Sequence, residues 1–209
     1  MREIKQENKS FDLLLIRHGL TAWNAEKRYI GKTDLPLTEA GIAQLRTKWP
    51  QPPCCQYLYS SPTLRCLQTA EVIFPGRAVN VVPGFRELAF GYFEGKTAAE
   101  MMGDPLYEAW LESGGQGQIP GGESMSAFVE RCTGSFRRMI IELEQNRKRD
   151  EGCGSDGYLA ALIVHGGTIM ALMSALGYPP RSFFDTMLKC GGSLACRWDG
   201  KQLREIEPK

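Results

Sequence analysis

Apolar residues fall along this chain in two kinds of block, short continuous runs and longer stretches at helical spacing, and each kind predicts a different element. The run FDLLLI at residues 11–16, bounded by Ser10 and Gly19, is too brief for a typical helix and reads as a buried strand. PLTEAGIAQLRTKWP then places Ile42, Leu45 and Trp49 at helical spacing, with Thr38 as a cap and Pro50 as a stop. QYLYS predicts a second strand. SSPTLRCLQTAEVIFPG predicts a second helix, capped by Ser61, with Pro62 at its first position and Pro75-Gly76 as terminator, and AVNVV predicts a third strand. Helices are expected over 97–112 and 124–145, the latter with Phe128, Cys132, Phe136, Met139, Ile140 and Leu143 on one stripe. The polar NRKRDEGCGSDG reads as a surface loop and YLAALIV as a fourth strand. The Gly-Gly pair after His165 opens another helix, and SLACRWDGKQLREI predicts a terminal hairpin turning at Asp199-Gly200.

Strands alternating with helices indicate βαβ units and a parallel sheet, hence an α/β protein. The 209 residues contain no internal repeat and no dividing linker, so a single domain over 1–209 is expected. The apolar fraction of 43% suits a globular protein, and a net charge of +1 provides no global field for nucleic acid or an anionic membrane. Any anion must therefore be held by local bases, and neither nucleic acid nor membrane is expected as a partner. The apolar stretch near the N-terminus is too short for a signal-peptide core or a membrane span, so a cytoplasmic location is expected. Seven cysteines without a C-x-x-C pair argue against a disulfide framework or a zinc ribbon and predict reduced, mostly buried thiols.

Candidate chemistry collects where the strands end. Ligands of open α/β sheets bind outside the carboxyl ends of the strands, where helix N-termini also point. Arg17 and His18 end the first strand, and His165 ends the fourth. Arg65 lies in the first turn of the second helix, where unpaired N–H groups and the helix dipole favour an anion. The chain holds only two histidines, and both occupy this topological place, each followed by glycine, which permits close backbone approach to a ligand. Two arginines and two histidines on one edge make a site of phosphate size, since the planar guanidinium fork matches phosphoryl oxygens.

These residues carry a resemblance. RHGLTAWN (Arg17, His18, Gly19, Thr21, Asn24) with YIGKTDLPLTEAG, SSPTLRCLQTA at Arg65, FRELAFGYFEG at Glu87, and VHGG at His165 are similar, in order and over nearly the whole chain, to the motifs of the histidine phosphatase superfamily, also called phosphoglycerate-mutase-like. Leu20 departs from the usual Glu or Gln of that pattern. The resemblance implies a three-layer α/β sandwich with a mostly parallel central sheet. It also implies His18 as the nucleophile that forms a phosphohistidine, with Arg17, Arg65 and His165 on the equatorial oxygens. Asn24 is implied as a further substrate-binding residue, with Thr21, Gly19 and Gly166 beside it. No metal and no cofactor is implied, because phosphoryl transfer asks mainly for positioning and opposing charge. Glu87 is the implied general acid and base, and Leu88, Phe90, Tyr92 and Phe93 offer an apolar wall to raise its pKa. On the bare sequence, pairing of Glu87 with Arg86 competes with that role.

Within this superfamily the mutases place an arginine after the catalytic acid, whereas here Leu88 follows Glu87. Residues 97–130, the expected small helical lobe over the site, contain no Lys or Arg but carry Glu100, Asp104, Glu108, Glu112, Glu123 and Glu130. A hydrolase acting on a small phosphomonoester is therefore expected ahead of a bisphosphoglycerate-dependent mutase, with an inactive phosphate-binding module as the alternative of another class. This lobe offers Tyr107, Trp110, Met101, Met102 and the PGGES turn in which Ser124 caps the next helix, and its spacing and the pattern DPLYEAWLES...PGGES are similar to the α-ribazole phosphatases of cobalamin synthesis. Small broad-specificity phosphatases share much of that pattern. A homo-oligomer is compatible with these features.

Overall fold

The computed structural model describes residues 10–147 and 157–209. In chain order the elements are β1 (Phe11–Arg17), α1 (Ala22–Ala25), α2 (Glu39–Lys48), β2 (Cys55–Ser60), α3 (Leu64–Ile73), β3 (Asn80–Val81), α4 (Pro105–Glu112) and α5 (Met125–Arg147). They continue with β4 (Tyr158–Val164), α6 (Gly166–Leu176), β5 (Gly177–Tyr178), β6 (Ser193–Trp198) and β7 (Leu203–Glu205). The strands form one seven-stranded sheet in the order β3-β2-β4-β1-β6-β7-β5. β1, β2, β3 and β4 run parallel, and β6 is antiparallel to β1 on one side and, through a hairpin, to β7 on the other.

β1 lies between β4 and β6, so both its faces must be covered, and its alternating side chains show how. Leu13 and Leu15 join Leu162 and Val164 in a core with α5 and α6, while Leu14 and Ile16 join Ala161 and Ile163 in a second core with α2 and α3. Helices on both faces of a mostly parallel sheet make the three-layer sandwich. The α5 stripe Phe128, Cys132, Phe136, Met139, Ile140 and Leu143 is buried throughout. Each large side chain there contributes about 1.5–3 kcal/mol of burial. Thr38 accepts from Gly41 N and Ser124 from Ala127 N, so both cap the helices expected of them.

Three local expectations are corrected. α3 begins at Leu64 with Thr63 as its cap residue, so Pro62 precedes the helix and Ser61 does not cap it. Instead, the Ser61 hydroxyl meets His165. The third strand shrinks from 78–82 to Asn80–Val81, since it is an edge strand with β2 as its neighbour and Pro83 starts a 3-10 turn two residues on. The helix expected over 97–112 breaks into a 3-10 turn at Ala99–Met101 and α4. Gly103 takes a positive φ of 81° there, and Asp104 starts the next helix by accepting from Leu106 N. The cysteines Cys54, Cys55, Cys66, Cys132, Cys190 and Cys196 are free, and Cys55, Cys66, Cys132 and Cys196 are buried. Cys153 and residues 148–156 of the expected loop lie outside the described residues.

Candidate active site

Parallel pairing of β1 with β4 sets Arg17 opposite Val164, so the residues that follow the two strands emerge side by side. His18 N donates to Val164 O at 2.9 Å, and the His18 and His165 rings stand 5.2 Å apart at 68°. The β2 end joins them, with Ser61 N on Ile163 O.

Each imidazole is oriented by its neighbours. His18 Nδ1 lies 2.7 Å from Gly19 O, and a carbonyl only accepts, so Nδ1 carries the proton and Nε2 the free lone pair. Burial, then Arg65 and Arg17, hold the His18 pKa well below 6.5, so the ring is neutral. The Arg65 Nε–H donates to His165 Nδ1 at 3.3 Å, which leaves Nε2–H of His165 to donate to Ser61 Oγ at 2.8 Å. Burial, Arg65, His18, Arg17 and Arg131 hold His165 well below 6.5 too.

Two arginines face these rings. Arg65 is 0% exposed, its Nη1 and Nη2 donate to the carbonyls of Thr33 and Gly31, and its ion-pair partner is exposed Asp34 at 4.0 Å. A buried cation held mainly by neutral acceptors favours the arrival of an anion. Arg17 Nη1 donates to Leu188 O, while its buried Nε has no partner among the described residues. The absence of a side chain at Gly166 makes room for this guanidinium, since an added Cβ would lie 3.2 Å from Arg17 Cζ.

Glu87 is tied to the start of α6. Its Oε1 accepts from Leu88 N at 2.9 Å and its Oε2 from Gly167 N at 3.0 Å. Burial raises its pKa, against these two hydrogen bonds and the fields of Arg17 and Arg65. Among the described residues no ion pair joins Glu87 to Arg86; Arg86 instead offers its carbonyl to Arg131. Arg131 also donates to the carbonyls of Gly84 and Glu87 and pairs with Glu123 at 2.6 Å, so it braces the backbone that presents Glu87.

The remaining candidates occupy distinct positions. Thr21 Oγ1 donates to Asn24 Oδ1 at 2.8 Å, which turns the Asn24 amide nitrogen away from Thr21. Gly19 N donates to Thr69 Oγ1, and an added Cβ at Gly19 would lie 2.7 Å from Leu45 Cδ1, so this glycine serves packing and holds His18 through its carbonyl. Tyr107, Trp110 and Phe93 are buried and pack with the half-buried Tyr29 and Phe90 in an aromatic cluster, Tyr29 and Tyr107 sharing a hydroxyl hydrogen bond of 3.0 Å. Met101 is buried, whereas Met102, Leu106, Leu111 and Tyr92 are exposed.

As parts of the site, Ser61, Gly167, Thr69, Leu188 and Arg131 escaped the sequence reading. Gly167 carried a signal, as the second glycine of its pair: an added Cβ would fall 2.1 Å from Glu87 Oε1. The others left none, because their partners lie far away in the chain. Among the described residues no three His, Cys, Asp or Glu side chains are grouped to hold a metal, and no helix is long and apolar enough to cross a membrane.

Residues 13–206 match the histidine phosphatase superfamily (branch 1). The "Probable phosphoglycerate mutase GpmB" of Yersinia pestis (strain Pestoides F) is 36% identical over 170 residues, covering 78% of this chain and 73% of its own length. Among solved structures, a protein provisionally named alpha-ribazole-5'-P phosphatase, from Escherichia coli str. K-12, superimposes with a TM-score of 0.76 at 25% identity over 94% of each chain. TTHB049 from Thermus thermophilus gives 0.66 at 33% identity over 95% of this chain and 99% of its own. A family match that runs nearly from end to end, with its motifs gathered on one edge of a mostly parallel sheet, leads to one conclusion: this chain belongs to the histidine phosphatase superfamily.

Proposed function

We propose that the protein hydrolyses phosphomonoesters through a phosphohistidine at His18, and that its substrate is α-ribazole 5′-phosphate or a similar small molecule with one phosphate. The observation that carries this reading is the pairing of a neutral His18, whose Nε2 lone pair is free, with an Arg17 Nε–H that is buried and unpartnered. A phosphoryl group supplies both missing interactions.

In the proposed reaction His18 Nε2 attacks phosphorus while the bond from phosphorus to the ester oxygen breaks. The Glu87 carboxyl gives its proton to the leaving oxygen. Burial already favours the protonated acid, and an arriving phosphate dianion offsets the arginine fields that oppose it. Water then gives a proton to the Glu87 carboxylate and attacks phosphorus, the phosphorus–nitrogen bond breaks, and neutral His18 returns. Arg17, Arg65 and His165 stabilise the charge on the transferring oxygens throughout.

The mutase reading is favoured by the names of relatives such as that of Yersinia pestis. Hydrolysis is supported by the charges at the site. The cations acting on His18, Glu87 and His165 are Arg17, Arg65 and Arg131, and Arg131 is already paired with Glu123. Leu88 is buried, and residues 97–130, which we propose as the cover of this single-domain site, add no base for a second anionic group. The α-ribazole substrate draws support from the Escherichia coli structure. The test compares phosphate release from α-ribazole 5′-phosphate, from a simple alkyl phosphate and from 3-phosphoglycerate, and isomer formation from the last with its bisphosphate primer. Release from the first at the highest kcat/KM with negligible isomer is expected; isomer formation at a comparable rate overturns the hydrolase reading.

A further inference from the structure

The two carbonyls that hold the buried Arg65 guanidinium belong to Gly31 and Thr33, in a segment without regular structure. Such a segment aims a guanidinium only as well as it is itself held. Gly31 N and Thr33 N both donate to one atom, Oε1 of Glu94, at 3.1 and 2.5 Å. Two further ties act on the same segment. Asp34 Oδ1 accepts from Leu64 N at the start of α3, the helix that carries Arg65. Gly31 packs so closely on the residue after Glu87 that an added Cβ would lie 2.1 Å from Leu88 O.

We propose that Glu94 is a positioning residue for phosphate binding: by gripping the N–H groups of Gly31 and Thr33 it fixes the carbonyls that aim Arg65. The proposal rests on Arg65 being a phosphate ligand, as the proposed function has it. Glu94 is separated from Arg65 by the loop and acts through it. The carboxylate also suits the task electrically, because two N–H donors converging on one oxygen are best matched by a charged acceptor.

The test uses the full chain and inorganic phosphate as a competitive inhibitor, in a double-mutant cycle of Glu94→Ala with Arg65→Ala. Glu94→Ala should weaken phosphate inhibition by about 10- to 100-fold, the scale of a ligand displaced by about an ångström. Glu94→Gln, which keeps an acceptor oxygen in place, should recover most of that loss. With Arg65 already replaced, Glu94→Ala should change inhibition less than about threefold, since the loop then has nothing to aim. Should Glu94→Ala not fold, Glu94→Asp, which shortens the reach to the loop, takes its place in the same cycle. An equal loss with and without Arg65 overturns the proposal. If Arg65→Ala weakens phosphate while the Glu94 variants do not, this inference alone falls; if Arg65→Ala has no effect, the reading of the phosphate site falls with it.

Discussion

The edge formed by the ends of β1, β2 and β4 and the segment 97–130 are built in opposite ways. At the edge, His18, Arg65 and His165 are buried, and each is oriented by hydrogen bonds to backbone or to one another. In the segment, Gly103, Gly114, Gly115 and Gly121 all turn the chain at positive φ, the acidic residues are mostly exposed, and order comes from Tyr107 and Trp110 packing into an aromatic cluster. Strand ends hold groups to fixed positions because the register of the sheet fixes them. A chain of turns around an aromatic anchor tolerates changes in its exposed side chains. On the function proposed above, the edge would carry the chemistry and the segment the choice of substrate.

The largest expected effect breaks the edge itself: His18→Ala should lower kcat on every phosphomonoester by on the order of 10⁴-fold and remove the acid-labile phosphoryl label trapped during turnover. His165→Ala should slow turnover yet leave label on His18. Label on another residue overturns the phosphohistidine route.

Next in size is Glu87→Gln, expected to slow alkyl phosphates by about 100-fold and aryl phosphates less, because better leaving groups need less protonation. The pH profile sharpens this. The Glu87 pKa is raised above 4.5 and the acid must be protonated to donate, so alkyl turnover falls as pH rises through that raised value. His18 is held well below 6.5 and must be neutral to attack, so the loss on the acid side begins well below 6.5. Glu87→Gln should erase the alkaline limb; its survival would move the acid to another group.

A pair of glycines then tests the two regions with one kind of substitution. Gly167→Ala forces a Cβ to 2.1 Å from Glu87 Oε1 and should cost about 10- to 100-fold in kcat on alkyl phosphates. Gly121→Ala, at φ 67° with nothing within 4 Å of the new Cβ, should lower stability by about 1 kcal/mol and leave kcat alone. Thermal melts and kcat measured on both variants decide it, and similar profiles would erase the distinction.

The smallest effect concerns exposed apolar residues of the segment. Leu106→Ser should raise KM for α-ribazole 5′-phosphate by roughly two- to fivefold while leaving p-nitrophenyl phosphate unchanged, the scale of about one methylene of apolar burial lost from a half-exposed side chain. Equal changes on both substrates would deny the segment its part in selectivity.

Periodicity and punctuation in the sequence alone determined the alternating strands and helices, the caps Thr38 and Ser124, and the placing of His18 and His165 just after strand ends. Those signals are local: a strand buried on both faces must be continuously apolar, and a cap must lie beside the turn that it closes. Tertiary structure alone decided how each group is held. Ser61 left its expected capping role for His165, the helix expected over 97–112 broke at Gly103, and the Arg65 guanidinium found carbonyls of a loop some thirty residues earlier. Gly167 and Arg131 reached Glu87 and its backbone across comparable or greater separations. Such contacts depend on how the packed layers bring distant segments together, and a hydrogen bond formed across that distance imposes no spacing on the residues along the chain.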